Sequence, residues 1–264
     1  MNLGLEGKRA LVSGSTAGIG WAIAAGLAAE GAEVVLNGRT QARVDAGIQA
    51  VKERHPPARI RGVAADLGTA EGCLRMAREV PEVDVLVNSL GIFEPKPFVE
   101  IPDADWNRFW EVNVMSGVRL ARSYFPGMMA RNWGRILFIS SESALQIPVE
   151  MVHYGTTKTA QLAVARGLAE ATRGTAVTVN SILAGPTRSE GVGEFVERLA
   201  AQQRLGREQV EREFFASARP SSLLQRFATP EEVAALAIFV AGVPASAVNG
   251  AALRVDGGVV RAIV

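Results

Sequence analysis

The chain has 264 residues, 48% of them hydrophobic, and its 28 Lys plus Arg against 27 Asp plus Glu leave almost no net charge. With no basic block there is no mark of a nucleic-acid or anionic-membrane surface, and the longest apolar run, Val233 to Val243, is too short to span a bilayer. No stretch of signal-peptide type stands near Met1, and no linker, repeat or low-complexity tract divides the chain. The expectation is therefore one cytoplasmic domain over residues 1–264 whose partner is a small molecule.

The first element is a short apolar strand, Lys8 to Ser13, followed by Gly14-Ser15-Thr16-Ala17-Gly18-Ile19-Gly20 and an Ala/Leu-rich helix from Trp21 to Glu30. A strand, glycine turn and helix in this order aim the helix's unpaired N–H groups and its positive dipole end at whatever lies above the turn, a place suited to a pyrophosphate. The spacing is G-x-x-x-G-x-G, so the more general G-x-G-x-x-G fingerprint does not match. Taken alone, the turn could equally serve only to fold the helix back on its strand.

Strands are predicted next at Glu33 to Asn37, Arg59 to Ala65 and Val83 to Asn88, with helices at Thr40 to Arg54 and Gly72 to Glu79 between them. A long helix from about Asp103 to Arg131 carries Asn113. Arg135 to Ser140 is a fifth strand, Val152 to Thr172 a long helix and Ala176 to Leu183 a sixth strand. Thr229-Pro230-Glu231-Glu232 opens another helix with an N-cap, a first-position Pro and a Glu at the third position, and Ala251 to Val255 is the seventh strand. This alternation implies an α/β fold with a parallel seven-stranded sheet and helices on both faces. Ligands bind such sheets beyond the carboxyl ends of the strands, where Gly14 to Gly20, Asp66, Asn88 to Gly91, Ser141 and Gly185 all fall.

Tyr154 and Lys158 stand four residues apart on the long helix, on one face. An ammonium roughly 4 Å from the phenolate, at an effective dielectric near 20, favours the charged form by about 4 kcal/mol. That is close to three pKa units and would bring the phenol from about 10 to near 7, where it can exchange a proton with a carbonyl or alcohol oxygen. His153, adjacent on the helix, points about 100° away from Tyr154 and is either a wall residue or a substrate contact. His55, Cys73 and His153 offer no metal-ligand spacing, so no metal site is expected. Cys73 reads as packing, and the absence of a G-x-S-x-G elbow leaves no basis for a serine hydrolase.

Together these residues resemble the short-chain dehydrogenase/reductase family over nearly the whole chain. The motifs are Gly14-x-x-x-Gly18-Ile19-Gly20, Asp66, Asn88 with Gly91, Asn113, Ser141 thirteen residues before Tyr154, Tyr154-x-x-x-Lys158 and Val255-Asp256-Gly257-Gly258. The resemblance implies a single-domain, doubly wound Rossmann fold and a hydride transfer between a nicotinamide and a carbonyl or secondary alcohol. It implies Tyr154 as the proton donor or acceptor, Ser141 on the substrate oxygen and Lys158 lowering the tyrosine pKa and holding the nicotinamide ribose. Asn113 would anchor a water that relays protons to Lys158. The cofactor would lie along Gly14, Ser15, Thr16, Gly18, Ile19, Gly20, Arg39, Asp66, Leu67, Asn88, Gly91, Tyr154, Lys158, Gly185 and Thr187. Three places depart from the family pattern: Ser13 in place of Thr, Asn88-Ser89-Leu90-Gly91 in place of Asn-Asn-Ala-Gly, and Ala184-Gly185-Pro186 in place of a Pro-Gly step. The alternative is a binder of NADP(H) with this fold that senses or scaffolds without turnover.

A carboxylate at the end of the second strand would select NAD. The chain reads Leu36-Asn37-Gly38-Arg39-Thr40 there, so NADP is favoured, with NAD also possible. Between Arg188 and Gln225 the alternation stops, and Val192, Phe195, Val196 and Leu199 recur at helical spacing, which reads either as a substrate lid over 188–225 hinged at Gly191 and Gly193 or as an ordinary surface helix. Small residues along the Tyr154 helix permit close packing on another helix, and the apolar tail Val259, Val260, Ile263 and Val264 has little reason to face water; the family resemblance, in which such helices pair and such tails meet, implies a homotetramer, or at least a homodimer.

Overall fold

The computed structural model describes residues 1–188, 193 and 206–263. Its described strands are β1 (Arg9–Val12), β2 (Glu33–Gly38), β3 (Ile60–Ala64), β4 (Val85–Asn88), β5 (Gly134–Ser141), β6 (Val177–Ala184) and β7 (Ala252–Val255). They form one parallel sheet in the order β3-β2-β1-β4-β5-β6-β7. Ala10 pairs with Val34 on one side and Val85 on the other, so the order reverses between β1 and β4. A crevice opens at such a switch point, beyond the strands' carboxyl ends.

Alternation along β1 divides the core. Ala10 and Val12 pack with Ile23 and Leu27 of α1 (Gly18–Ala29) and with Val233, Ala237 and Val240 of a late helix. Leu11 faces the other way, toward Met76 of α3 (Ala70–Glu79), Leu120 and Tyr124 of α5 (Ser116–Ala130) and Ala165 of α6 (Val152–Glu170). Both faces of the sheet are covered, which is why β4, β5 and β6 read as buried along their whole length. α2 (Gln41–Arg54) joins β2 to β3. The late helix is α8 (Pro230–Ala241), and its capping box forms as the sequence indicates: Glu232 N donates to Thr229 Oγ1 at 3.2 Å and Thr229 N to Glu232 Oε2 at 2.8 Å.

The predicted helix from Asp103 to Arg131 is three pieces: α4 (Asp103–Phe109), a π-turn (Trp110–Met115) and α5. A π-turn adds a residue to the helical repeat without changing composition, so periodicity does not show it. Asn113 sits inside it.

In the segment 188–225, α7 (Arg207–Ser217) turns Val210 and Phe215 inward. The predicted apolar stripe of Val192, Phe195, Val196 and Leu199, and the hinge at Gly191, lie outside the described residues. After β7, Asp256 Oδ1 and Oδ2 accept from Gly258 N and Val260 N, while Gly257 and Gly258 take positive φ. The turn folds Val259 and Val260 into the core and leaves Ile263 exposed, so the first two are not part of the free apolar tail expected from sequence. Among the described residues no helix is long and apolar enough to cross a membrane.

Candidate active site

The glycine turn follows β1 directly. Gly14 and Gly18 have φ of 59° and 57°, and a Cβ on Gly20 would stand 2.5 Å from the Gly14 carbonyl oxygen, so each of the three glycines is required by shape. Ala17 caps α1 with no side-chain hydrogen bond, and the first turn carries no acidic residue. The helix N-terminus therefore keeps N–H groups free for an anion. Gly14, Gly18, Ile19 and Gly20 line the cavity above it.

Ser15 and Thr16 shape this turn from behind. The buried Ser15 hydroxyl donates to Val12 O at 2.6 Å and accepts from Asn37 N at 2.9 Å, and the Thr16 methyl packs on Gly38. Asn37 completes the staple: its Oδ1 accepts from Gly14 N at 3.1 Å and its Nδ2 donates to Val63 O and Ala65 O. Ser13, in place of Thr, keeps the hydroxyl that matters, since it accepts from the N–H groups of both Ser89 and Leu90 at 3.0 and 3.1 Å. Leu90 finds room by packing its backbone over Gly14 and its side chain against the core.

Of the other residues at strand ends, Gly91, Gly185 and Thr187 line the same cavity, whereas Arg39, Asp66, Leu67 and Asn88 are not on its wall. Asp66 Oδ1 accepts from Gly68 N at 3.0 Å, Leu67 is buried in the core, and Arg39 lies exposed just past β2. Asn88 is 3% exposed, yet neither polar atom of its side chain has a hydrogen-bond partner. A buried amide left so is costly unless a ligand completes it. Gly185 N donates to Val255 O at 3.2 Å, a Cβ there would stand 2.5 Å from Asp256 O, and Thr187 Oγ1 donates back to Gly185 O. The open helix terminus and the glycine cradle fit a dinucleotide.

Ser141 ends β5, and Tyr154 and Lys158 project from the first turns of α6. Ser141 Oγ accepts from Ser143 N at 3.1 Å, donates to the Glu142 carboxylate and hydrogen-bonds Tyr154. Lys158 Nζ donates to Ile139 O at 3.0 Å and Gln161 Oε1 at 3.3 Å, and lies 5.6 Å from the centre of the Tyr154 ring. Asn113 Oδ1 accepts from Ile92 N, and its Nδ2 donates to Ile92 O and Thr157 Oγ1. Gly91 lies beside both, a Cβ there standing 3.4 Å from Lys158 Nζ and 3.5 Å from Asn113 Oδ1.

The electrostatics correct the expectation of a tyrosine poised near 7. Burial and the Glu142 carboxylate push the Tyr154 phenol well above its ordinary value, and only the Ser141 hydrogen bond and Arg219 work against them. Burial also brings the Lys158 ammonium down to about 8, opposed by Glu142. A neighbouring cation favours the phenolate, but desolvation disfavours both charged forms and prevails here.

Tyr154 and Lys158 open onto a cavity of about 700 Å³ that runs from the glycine turn to α7, a size suited to a cofactor with a small substrate. Its far wall carries Phe93, Met151, Val210, Phe214 and Phe227 together with Glu142, Glu150, Glu213 and Arg219. Arg219 Nε donates to Glu142 Oε1 at 3.0 Å and its Nη1 to Glu150 Oε1 at 3.2 Å. His153 is turned away from this cavity. It packs 4.1 Å from the Phe109 ring centre with neither nitrogen hydrogen-bonded, and burial holds it below its ordinary pKa. Among the described residues no group of three or more His, Cys, Asp or Glu could hold a metal ion, and Cys73 is buried and raised to about 11 by desolvation. Asn37, Glu142, Gln161 and Arg219 did not emerge from sequence; only Gln161, one helical turn from Lys158, carried a positional signal.

The chain is similar to known proteins along nearly its whole length. The family model described as enoyl-(acyl carrier protein) reductase matches residues 14–260. The chain is 49% identical to an uncharacterized oxidoreductase of Bacillus subtilis, YvaG, with each chain covered in full. It is 34% identical to D-β-hydroxybutyrate dehydrogenase of Cupriavidus necator over 96% of this chain and 98% of that one. Among solved structures, L-sorbose reductase of Gluconobacter frateurii, complexed with NADPH and L-sorbose, superposes with a TM-score of 0.94 at 32% identity, with both chains covered in full. The chain belongs to the short-chain dehydrogenase/reductase family and is an NAD(P)-dependent oxidoreductase.

Proposed function

We propose that the enzyme is an NADP(H)-preferring carbonyl reductase, or in reverse a secondary-alcohol dehydrogenase, with Tyr154 as its acid/base. The observation that carries this reading is the meeting of Ser141, Tyr154 and Lys158 at the wall of one cavity that continues to the open end of α1. The nicotinamide supplies or accepts the hydride. Gly14, Ser15, Thr16, Gly18, Ile19 and Gly20 would hold its pyrophosphate side, Asp66, Leu67, Asn88 and Gly91 its adenosine side, and Lys158, Gly185 and Thr187 its nicotinamide side. Ser141 orients the substrate oxygen, and Tyr154 gives that oxygen its proton. A phenol held above its ordinary pKa is protonated at neutral pH, so it stands ready as the acid of the reducing direction. Asn113 holds the Ile92 backbone beside Lys158.

The substrate side favours a neutral carbonyl compound. Glu142, Glu150 and Glu213 line it, and Arg219 is already engaged by two of them, which leaves a substrate carboxylate poorly received. The apolar wall residues would take a hydrophobic portion. L-sorbose reductase, with a neutral substrate and NADPH, is the similar protein that supports this choice. NADP(H) preference rests on Arg39 in the place where a carboxylate would select NAD. The segment 188–225 would act as the lid, with Val210 and Phe214 of α7 on the cavity.

Assembly as a homotetramer, or at least a homodimer, is supported by the outward face of α6, where Ala163 and Gly167 are exposed and nothing stands within 4 Å of a Cβ on Gly167. We place the enzyme in the cytoplasm, a reducing compartment that suits its lone, buried Cys73 thiol. The test is a panel of neutral ketones, aldehydes, keto acids and secondary alcohols with NADPH and NADH, followed by nicotinamide absorbance, together with the mass by light scattering. Tight NADPH binding with no turnover of any compound would favour the non-catalytic binder, and a monomeric mass would remove the assembly.

A further inference from the structure

Gln161 lies one helical turn beyond Lys158 on α6 and is 2% exposed. Its Nε2 donates to the main-chain carbonyl of Asn113 at 2.6 Å, and its Oε1 accepts from Lys158 Nζ at 3.3 Å. The two neighbours fix which end of the amide is which, because a carbonyl oxygen only accepts and an ammonium only donates. The Asn113 carbonyl belongs to the π-turn between α4 and α5, a distortion often found at functional sites. The Asn113 side chain is committed to Ile92 and Thr157. Lys158 gives a second hydrogen bond to Ile139 O. With two of its three donors directed away from Tyr154, the ammonium is held in one orientation.

We propose that Gln161 is the positioning residue of Lys158: its amide ties the ammonium to the Asn113 carbonyl and stabilises its charge beside the Tyr154 ring. Asn113, which the family resemblance assigns to a relay water, here has its main-chain carbonyl bonded to an amide. A primary amide bridges two groups but does not pass a proton between them while remaining an amide, so this link holds Lys158 rather than serving as a conduit. The other charged groups that face the pair are Glu142, at the end of β5, and Arg219, after α7. Glu142 favours the ammonium and disfavours the phenolate, and Arg219 favours the phenolate. Both remain in place when Gln161 is changed. The proposal rests on the reading of Lys158 and Tyr154 as the catalytic pair.

The test follows Lys158 itself, by NMR of the full chain labelled at the lysine Cε. Only Lys8, Lys52 and Lys96 compete with it, and the Lys158→Met variant assigns its resonance. Wild-type Lys158 is expected to titrate near 8. Gln161→Leu removes an acceptor from a buried ammonium and should lower that midpoint by about one unit, whereas Gln161→Glu sets a carboxylate beside it and should raise it by about one unit or more. The high-pH limb of carbonyl reduction should move with it in each variant. A packing role alone would change the melting temperature and leave the titration where it was. A Lys158 midpoint unmoved in Gln161→Leu overturns the proposal. Should that variant fail to fold, an unmoved midpoint in Gln161→Glu does so. The titration is read without turnover, so full activity in Tyr154→Phe would remove the catalytic reading while leaving the Gln161 link standing.

Discussion

Arg219 Nε meets Glu142 Oε1 at 3.0 Å across 77 residues of sequence, and both residues are less than 10% exposed. The pair joins the segment after α7 to the end of β5, next to Ser141, whose hydroxyl is bonded to the other Glu142 oxygen. Removing one partner of a buried pair leaves an uncompensated charge, which costs about 3–5 kcal/mol, whereas removing both can be close to neutral. Arg219→Leu should therefore lower the unfolding free energy by about 3 kcal/mol, and it also deprives the Tyr154 phenolate of a stabilising cation. Glu142→Gln combined with Arg219→Leu should recover most of that loss in urea unfolding. A double variant no more stable than Arg219→Leu would show that the pair contributes as separate contacts and not as a unit.

Tyr154→Phe removes the hydroxyl and little else, since the ring keeps its edge contact with Phe93 at 6.4 Å between centres. A positioned acid or base contributes about 10² to 10⁴ in rate. Reduction by this variant should fall by at least about 10²-fold, with NADPH affinity by fluorescence titration nearly unchanged. Ser141→Ala should reduce the rate, because it removes the hydroxyl at the end of β5 that orients the substrate oxygen. Retention of more than about a tenth of the wild-type rate in Tyr154→Phe would assign the proton transfer elsewhere.

The pH dependence follows from two shifts. Tyr154 is raised, so it stays protonated through neutral pH and does not limit reduction there. Lys158 titrates at about 8 and loses its charge as pH rises through that value. The rate of carbonyl reduction at low substrate should be level below about 8 and fall above it, while alcohol oxidation, which needs the proton removed from Tyr154, should be slow at neutral pH. Glu142→Gln takes away the carboxylate that supports the ammonium, so the midpoint of the fall should move below 8. A profile for Glu142→Gln that falls at higher pH than the wild type would reverse the assigned sign.

What was legible in the sequence was what repeats or recurs at fixed spacing. Buried strands with helices between them gave the parallel sheet, and the Gly14, Gly18 and Gly20 spacing gave a turn whose positive φ values and close approach admit only glycine. Thr229 and Glu232 announced their own helix start. Hidden from sequence were the contacts made across the chain. Asn37 reads as the end of a strand, yet it joins the glycine turn to β3 through five hydrogen bonds of its backbone and side chain. Glu142 and Arg219 have no local pattern to connect them, and the π-turn at Asn113 changes the register of a helix without leaving any compositional mark. Desolvation at Tyr154 depends on how α6 packs over β5, which no spacing reports.

Cofactor choice turns on the end of β2, where Gly38 is followed by the exposed Arg39. A guanidinium there can take a ribose 2′-phosphate bidentately. One charged hydrogen bond is worth about 1.5–3 kcal/mol, or roughly 10- to 150-fold in Kd, so NADPH should bind at least about tenfold tighter than NADH. Reversal requires a carboxylate on β2, and the structure shows what stands in its way: a Cβ at Gly38 would overlap the methyl of Thr16, with Val44 close behind at 3.3 Å. Gly38→Asp with Arg39→Leu alone should therefore distort the glycine turn and weaken both cofactors. Adding Thr16→Ser removes the obstructing methyl and keeps the hydroxyl, and this triple variant should bind NADH more tightly than NADPH. Fluorescence titration of each variant with both cofactors decides the matter. Equal affinities in the wild type would show that Arg39 does not read the 2′-phosphate, and a double variant that binds NADH as well as the triple would show that Thr16 yields without cost.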